Sequence, residues 1–360
     1  MNKFSRYIFF IFTLSLAFSC KKTALDLQVE RIKNANSFSE IFQQEKSIVM
    51  QFPRSTEIED IVDALLLPSR QFCVLTSGDK AGAYLFDVGG KFIKQLRPAD
   101  KFIKNFGQPW QVELDSENNF HIFDLRRHKI FVFNLAGKYL HMLDAPKGAS
   151  SFRISSANQY YFNLPVSTDG TTILVTQRNG NASRSFSLMP PIVQEILHYK
   201  TIVPKRPLLT FDQNGEIFQA FPIENTIYKF GTDFHFKGSF EKKLQRYHAP
   251  DIVAWRAAVK QPGKNRDINN LLSHMTLFSG LHNPAHNIIM AEFLNIADRQ
   301  PRYLVFYTSA GAFLNGDIVF DKDNNGKILR ADKERLFTCR TDNTGRTSKF
   351  ILNVYFIPRR

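Results

Sequence analysis

From about residue 46 to the end of the chain, short apolar runs alternate with polar positions and are broken by Asp, Asn and Gly turns. A period of two with turn residues between the runs predicts strands rather than helices. Three stretches align with one another: QVELDSENNFHIFDLRRHKIFVFNLAGKYLHML (111–143), PLLTFDQNGEIFQAFPIENTIYKFGTDFHFKGSF (207–240) and LLLPSRQFCVLTSGDKAGAYLFDVGGKFIKQL (65–96). Each reads strand, tight turn, strand, loop, strand, turn, strand. In the first two the first turn is built from Asp, Asn and Gly, Asp115-Ser116-Glu117-Asn118-Asn119 and Asp212-Gln213-Asn214-Gly215, with the Gly where a positive φ is needed. Weaker copies cover 152–188 and 288–320, and RLFTCRT and KFILNVYFI supply strands of a last unit. Six units in roughly 315 residues leave about 52 for each, enough for four strands. One such unit cannot cover both of its apolar faces, so the units must stack, and a closed ring removes the unpaired ends.

The chain before residue 46 follows other rules. Lys3 and Arg6 are followed by an apolar run from Tyr7 to Leu16, then by Ala17-Phe18-Ser19 and Cys20. About ten apolar residues are too few for a span, which takes about twenty, and the pattern is that of a secretory signal. A cysteine directly after a small residue resembles a bacterial lipoprotein signal, in which the thiol is acylated and the chain cut before it. Phe18 is bulkier than that pattern favours, and a cleaved signal without lipid is the competing reading. Residues 21–45 are polar and weakly periodic. The expected organisation is a signal peptide over 1–19, a lipid anchor at Cys20 with a tether or short helix to 45, and one domain over 46–360. The resemblance implies an exported, membrane-anchored protein of the outer membrane, facing the periplasm or the cell surface.

The repeats carry a second resemblance. Asp115, Asn118-Asn119, Phe120 to Asp124, Arg127-His128-Lys129-Ile130 and Gly137-Lys138 follow the Asp-turn, strand, basic residue, strand and Gly-Lys turn of NHL-repeat and TolB-like propellers. The chain is similar to six-bladed β-propeller lipoproteins of Gram-negative envelopes. The expected fold is therefore all-β, a six-bladed β-propeller with a helical insertion between blades 4 and 5. Seven blades are the main competitor and a β-sandwich array a weaker one. If 47–52 supplies the outer strand of the last blade, the first and last blades become neighbours. Cys73 and Cys339 would then occupy similar strands of adjacent blades, which makes them a candidate disulfide alongside the alternative of two buried thiols.

Charge and composition narrow the partners. Removing residues 1–19 takes Lys3 and Arg6 from a formal net charge of +14, leaving +12. Such a balance favours acidic surfaces. No Lys/Arg run exceeds two, however, and an exported protein meets no nucleic acid, so anionic glycan, anionic lipid or an envelope protein are the partners to expect. Phenylalanine, 35 of 360 residues, suits stacked sheet faces, because each ring buries a large apolar area.

Candidate chemistry is sparse. Asp321, Asp323, Asn325, Gly326 and Asp332 have the spacing of a calcium loop, yet flanking helices are lacking and the same residues match the Asp/Asn hairpin turn of the repeat. No cofactor is expected beyond that calcium candidate. Residues 241–278 interrupt the repeat with Ile252, Trp255 and Val259 at helical spacing, and Asn265-Arg266-Asp267 offers a further helix start. The connection from one blade to the next shares a face with the loop after each second strand. A binding face is therefore expected from Arg126, Arg127, His128, Arg246, His248, Trp255, Arg256, Arg299 and Arg346, since aromatic and arginine side chains anchor partners well. His282 and His286 are four apart, but Pro284 between them suggests a loop. HExxH, GxSxG, P-loop and CxxC motifs do not occur. The favoured reading is a lipid-anchored binding or scaffolding module. Its rivals are a hydrolase or lyase with a metal in the central channel, and a binder of anionic glycan or lipid.

Overall fold

The computed structural model describes residues 23–359 apart from 54–55, 57, 100–101, 165–170, 179–180, 200–207, 242–243, 261–269, 272, 296–301, 333 and 345–347. An N-terminal pair of helices, α1 (Ala24–Asn34) and α2 (Phe38–Ile41), precedes β1 (Gln43–Met50). Blade 1 holds β2 (Asp60–Leu66), β3 (Gln71–Ser77), β4 (Ala83–Asp87) and β5 (Phe92–Leu96). Blade 2 holds β6 (Pro109–Leu114), β7 (Phe120–Asp124), β8 (Lys129–Phe133) and β9 (Tyr139–Asp144). Blade 3 holds β10 (Ser151–Ile154), β11 (Tyr160–Asn163), β12 (Thr171–Thr176) and β13 (Ala182–Leu188), and helix α3 (Pro191–Tyr199) follows it. Blade 4 holds β14 (Leu209–Phe211), β15 (Ile217–Ala220), β16 (Thr226–Phe230) and β17 (Phe236–Glu241), followed by helix α4 (Ile252–Val259). Blade 5 holds β18 (Thr276–Ala285), β19 (Ile288–Asn295), β20 (Arg302–Thr308) and β21 (Phe313–Phe320), with a single helical turn α5 (Lys322–Asn325) after it. Blade 6 takes β22 (Lys327–Asp332), β23 (Arg335–Asp342) and β24 (Lys349–Phe356), and its fourth strand is β1.

Six antiparallel four-stranded sheets with this order form the six-bladed propeller expected from the repeats. Their first strands, β2, β6, β10, β14, β18 and β22, touch in sequence around the ring, and β22 returns to β2. Strand alternation sends successive side chains into the two neighbouring interfaces. Phe72, Val74 and Phe86 of blade 1 thus meet Phe337 and Leu352 of blade 6, while Leu75 and Leu85 meet Phe120, Ile122 and Phe131 of blade 2. The phenylalanines are spent in these seams, many in edge-to-face pairs such as Phe72–Phe337, with ring centres 6.4 Å apart.

Closure is by β1, which pairs antiparallel with β24 from Gln43↔Phe356 to Met50↔Phe350. It begins earlier than the 47–52 segment expected from the sequence and ends at Met50. Beyond it, Gln51 N–H donates to the Gly90 carbonyl at 2.8 Å. A Cβ on Gly90 (φ +84°) would lie 2.3 Å from the Val49 carbonyl oxygen, so glycine alone fits where the last blade meets the first.

Of the two readings of 21–45, tether or short helix, the helix holds from Ala24 to Asn34, and it is packed. Thr23 and Asp26 form a capping box at the start of α1. Leu25, Val29 and Ile32 make a stripe that, with Phe38, Ile41 and Phe42, fills the seam between blades 5 and 6. Gln28 donates to the Ile357 carbonyl at 2.8 Å, and Asn315 donates to the carbonyls of Ile32 and Ala35 at 2.7 Å each.

The cysteine alternatives resolve to two buried thiols, and the reading of the Asp321 segment needs correction. Cys73 and Cys339 do lie on second strands of adjacent blades, but both are free and buried. Alternation turns Cys73 toward blade 2, whereas Cys339 faces blade 1, so the sheet of blade 1 stands between them. Burial pushes the Cys73 thiol far above its ordinary value, with the nearby Asp63 carboxylate adding to it. The Asp321 segment is neither a hairpin turn nor a calcium loop. It is the link from blade 5 to blade 6, where Asp321 caps α5 by accepting the N–H groups of Asp323 and Asn324 at 2.8 and 3.2 Å. Asp332 ends β22, a strand away. Among the described residues no three His, Cys, Asp or Glu side chains gather closely enough to hold a metal ion.

Candidate functional site

The inner strands carry isolated charged residues within otherwise apolar runs, and the ring brings those residues together. Asp63 of β2, Glu113 of β6, Arg153 of β10 and Arg330 of β22 meet in the central channel. Arg330 donates to the Val112 carbonyl at 2.6 Å, to Glu113 Oε1 at 3.3 Å and to Asp63 Oδ2 at 3.4 Å. Arg153 donates to Glu113 Oε1 at 2.8 Å and to Thr210 Oγ1 of blade 4 at 3.3 Å. The Gln111 amide donates to the same Glu113 oxygen at 2.8 Å, and Asp63 Oδ2 accepts the Val112 N–H at 3.0 Å. Two carboxylates and two guanidiniums therefore cancel within the protein, and their bonds tie blades 1, 2, 3, 4 and 6. Burial alone would raise the Glu113 carboxyl, but Arg153, Arg330 and Gln111 outweigh it and hold the group below the ordinary glutamate value.

This network plugs the channel. The gap left at its level is about 20 Å³, the size of a single water. Above it, on the face of the β-hairpin turns that join first and second strands, the channel widens into a cup of about 550 Å³ to which all six blades contribute. That volume is in the range of small-molecule sites. Arg153 and Arg330 form its floor. Its rim is the turns after β6, β10, β14 and β18, with Ser116, Asn118, Ser156, Gln213, Asn283 and His286 around the opening.

The turns after β6, β10 and β14 are closed by Asp115, Ser155 and Asp212, and the rim turns are braced to one another. Asp115 Oδ1 accepts the N–H groups of Glu117 and Asn119 at 2.9 and 2.7 Å, and Asp212 Oδ1 accepts those of Asn214 and Glu216 at 2.9 Å each. Between blades, Ser116 N–H donates to Asn158 Oδ1 at 2.9 Å, Gln213 donates to Asn287 Oδ1 at 2.8 Å, and Asn283 donates to the Phe211 carbonyl at 3.0 Å. Behind the rim, His121 Nε2 lies 3.1 Å from Asp115 Oδ2 and its Nδ1 lies 2.9 Å from the Tyr160 hydroxyl. A neutral imidazole protonated at Nε2 satisfies both contacts. Burial would raise the Asp115 carboxyl, but its bonds from His121 and Asn119 leave it below the ordinary aspartate value. In blade 4 the place of His121 is taken by Phe218, and Asp212 Oδ2 is buried without a partner among the described residues.

The face expected from the sequence is the opposite one, and its residues do not converge there. Arg126 and Arg127 are exposed on the β7–β8 loop of blade 2. Asp124 pins that loop by accepting the N–H groups of Gln108 and Arg127 at 3.0 Å each, and His128 (φ +50°) closes it. Arg246 and His248 belong to the link into blade 5, across the ring from blade 2. Arg246 donates to the Tyr303 hydroxyl at 3.0 Å with its guanidinium over the ring, and His248 N–H donates to Thr276 Oγ1 at 2.9 Å. Arg299 and Arg346 lie outside the described residues.

Helix α4 is present where an insertion was expected, capped by Asp251, but the region 261–269 lies outside the described residues. Trp255 is fully buried against Met189, Val193, Ile196, Phe221 and Met275, so it locks α4 onto α3 rather than meeting a partner. Arg256 lies on the outside of that pair and grips Glu195 with bonds of 2.9 and 3.0 Å. Replacing Trp255 by Ala is expected to cost about 3–5 kcal/mol, whereas Arg256→Ala, which removes an exposed ion pair, should leave the urea midpoint nearly unchanged. Equal losses in urea unfolding would contradict this assignment.

His282 also departs from expectation. The LHNPAH segment is strand as far as Ala285, which places His282 in the channel wall, 3.4 Å from Glu292 Oε2, and leaves His286 exposed on the rim. Arg302 binds the other oxygen of Glu292. Sequence reasoning missed the floor of the cup altogether. The signal available was one charged residue in each apolar inner strand: IVDALL, QVEL, FRI and ILRA.

A model of the DUF5128 family, described as a 6-bladed beta-propeller, matches residues 21–308. No curated protein matches the sequence. Among solved structures, the chain is similar to a Bacteroides fragilis protein described as a candidate exported protein, at 12% identity and a TM-score of 0.68, over 90% of this chain and 97% of that one. A member of the duf4221 family from Bacteroides vulgatus matches at 8% identity and a TM-score of 0.60, over 88% and 98%. Virginiamycin B lyase from Staphylococcus aureus matches at 11% identity and a TM-score of 0.51, over 85% and 83%. At these identities the likeness is one of fold.

Proposed function

The chain belongs to the DUF5128 family of 6-bladed beta-propellers, and we propose that it is an exported, lipid-anchored binding module whose ligand sits in the polar cup at the channel mouth. The observation that carries this reading is the plug. A floor whose charges cancel internally closes the channel into a cup, and braced turns hold the rim in place before any ligand arrives. Pre-organised polar groups lose little freedom on binding, which favours recognition by a static site. The cup replaces the aromatic and arginine face of the sequence reading, because Trp255 is core and the arginines there are dispersed.

The anchor rests on the first twenty residues. No described helix is long and apolar enough to cross a membrane; in this reading attachment is by an acyl chain on Cys20, supported by Lys21-Lys22 at the surface of an outer membrane. α1 starts at Ala24, only a few residues beyond Cys20, and is packed against blades 5 and 6. The anchored body is thus held close to the lipid rather than on a long leash. Cys20→Ser should move the protein from the membrane fraction to the soluble fraction and remove the lipid mass from its N-terminal peptide. An unchanged distribution would remove the anchor from the account.

The cup is tested by thermal-shift screening of the full chain in detergent against sugars, short peptides, nucleosides and organic acids. Ser116→Trp and Ser156→Trp place a bulky ring on exposed rim positions without touching the core. A compound that stabilises the native protein should lose its effect in both variants. Stabilisation that survives both would move the site elsewhere.

A further inference from the structure

Resting on the cup as the binding site, we propose that its ligand is a neutral oligosaccharide. The charge around the cup argues against the anionic partner that a net charge of +14 suggests. Its two guanidiniums are matched by Glu113 and Asp63, Asp115 is hydrogen-bonded by His121 and has the Arg178 guanidinium at 3.7 Å, and Glu334 is bound by Arg359. Among the described residues no lining lysine or arginine is left over to neutralise a carboxylate, sulfate or phosphate. An anionic ligand would lose its hydration without gaining a counter-charge.

The groups that remain are hydroxyls and amides. Ser116, Asn118, Ser156 and Asn283 offer donors and acceptors within one rim, which is the pairing a sugar hydroxyl requires, since it both donates and accepts. Asp212 adds an unmet demand. It lines the cup, it is 6% exposed, and its Oδ2 has no donor among the described residues. A buried acceptor left unpaired is costly, and a ligand hydroxyl supplies the missing donor. Phe211 in the same wall gives an apolar surface for the C–H face of a ring. An extended peptide fits this shape poorly, because the cup is closed below and has no open ends for a continuing chain.

The test is titration calorimetry of the full chain with neutral trisaccharides (maltotriose, cellotriose, mannotriose, xylotriose), a trigalacturonide, a sulfated trisaccharide and tri-alanine. Ser116→Trp, Ser156→Trp and the far-face control Arg256→Ala run in parallel. The expected result is binding of at least one neutral trisaccharide, with less than about a twofold change in Kd between roughly 50 and 500 mM salt. Each cup variant should weaken it about tenfold or more, a loss of about 1.4 kcal/mol, and Arg256→Ala should leave it unchanged. Binding confined to the acidic sugars and falling steeply with salt would overturn the neutral class while keeping the cup, provided the Trp variants abolish it. Binding of tri-alanine alone would do the same. Neutral-sugar binding untouched by both Trp variants would keep the class and overturn the cup. No binding of any trisaccharide at millimolar concentration would overturn the proposal.

Discussion

A chain shortened to begin at residue 52 should fail to give a cooperative unfolding transition at 25 °C and should aggregate. The truncation removes β1, leaving β24 as an open edge with unpaired backbone groups. It also removes α1 and α2 from the seam between blades 5 and 6. Ile32, Phe38, Ile41, Phe42, Ile48 and Met50 are all buried in these places. At about 1.5–3 kcal/mol each, the six side chains are worth roughly 9–18 kcal/mol, as much as the net stability of an ordinary domain at about 5–15 kcal/mol. The loss cannot be absorbed locally, because the ring needs its sixth blade to cover blades 1 and 5. Circular dichroism in a urea series would check it. A sharp transition with a native-like midpoint in the truncated chain would mean that blade 6 is complete without β1.

The second large effect concerns the plug. Arg330→Met should destabilise the protein by about 3–5 kcal/mol at pH 7, the cost of stranding buried carboxylates by removing their partner. Its pH dependence is distinctive. In the native protein the Glu113 carboxyl lies below its unfolded value. Its stabilising contribution is therefore complete above the ordinary glutamate range and fades as the pH falls through the depressed folded value. Without Arg330, burial is opposed by Arg153 and Gln111 alone, so the folded value rises and protonation relieves the strain. The gap between native and variant should be largest near neutral pH and narrow toward pH 4. Adding Glu113→Gln should recover part of the loss at pH 7. Urea midpoints across this range measure it, and a gap that widens toward acid would contradict the network.

How far the sequence carried this structure differs from one part to another. Blades 1, 2 and 4 were legible because strand period and turn chemistry agree: Asp115 and Asp212 close the same turn that their spacing predicts. The closing strand was legible by elimination, since a ring with its last outer strand missing must borrow one. The cup was not, because its floor joins Asp63, Glu113, Arg153 and Arg330 from four blades, and no local window contains more than one of them. The Asp321 segment misled because a helix cap and a calcium loop share Asp and Asn at short spacings. The choice between a disulfide and two buried thiols stayed open in the sequence, since neighbouring blades bring strands together while the pleat decides which seam each side chain enters. Trp255 and Arg256 misled for a related reason: consecutive helix positions point about 100° apart, which puts a core anchor beside an exposed ion pair.

The most direct test of the cup is a crystal structure of the full chain soaked with the neutral trisaccharide that binds most tightly. The account predicts sugar density above Arg153 and Arg330, between the turns of blades 2 to 5, with a hydroxyl within hydrogen-bonding distance of Asp212 Oδ2. Density on the face of α3 and α4, or an empty cup in crystals that hold the sugar elsewhere, would contradict it.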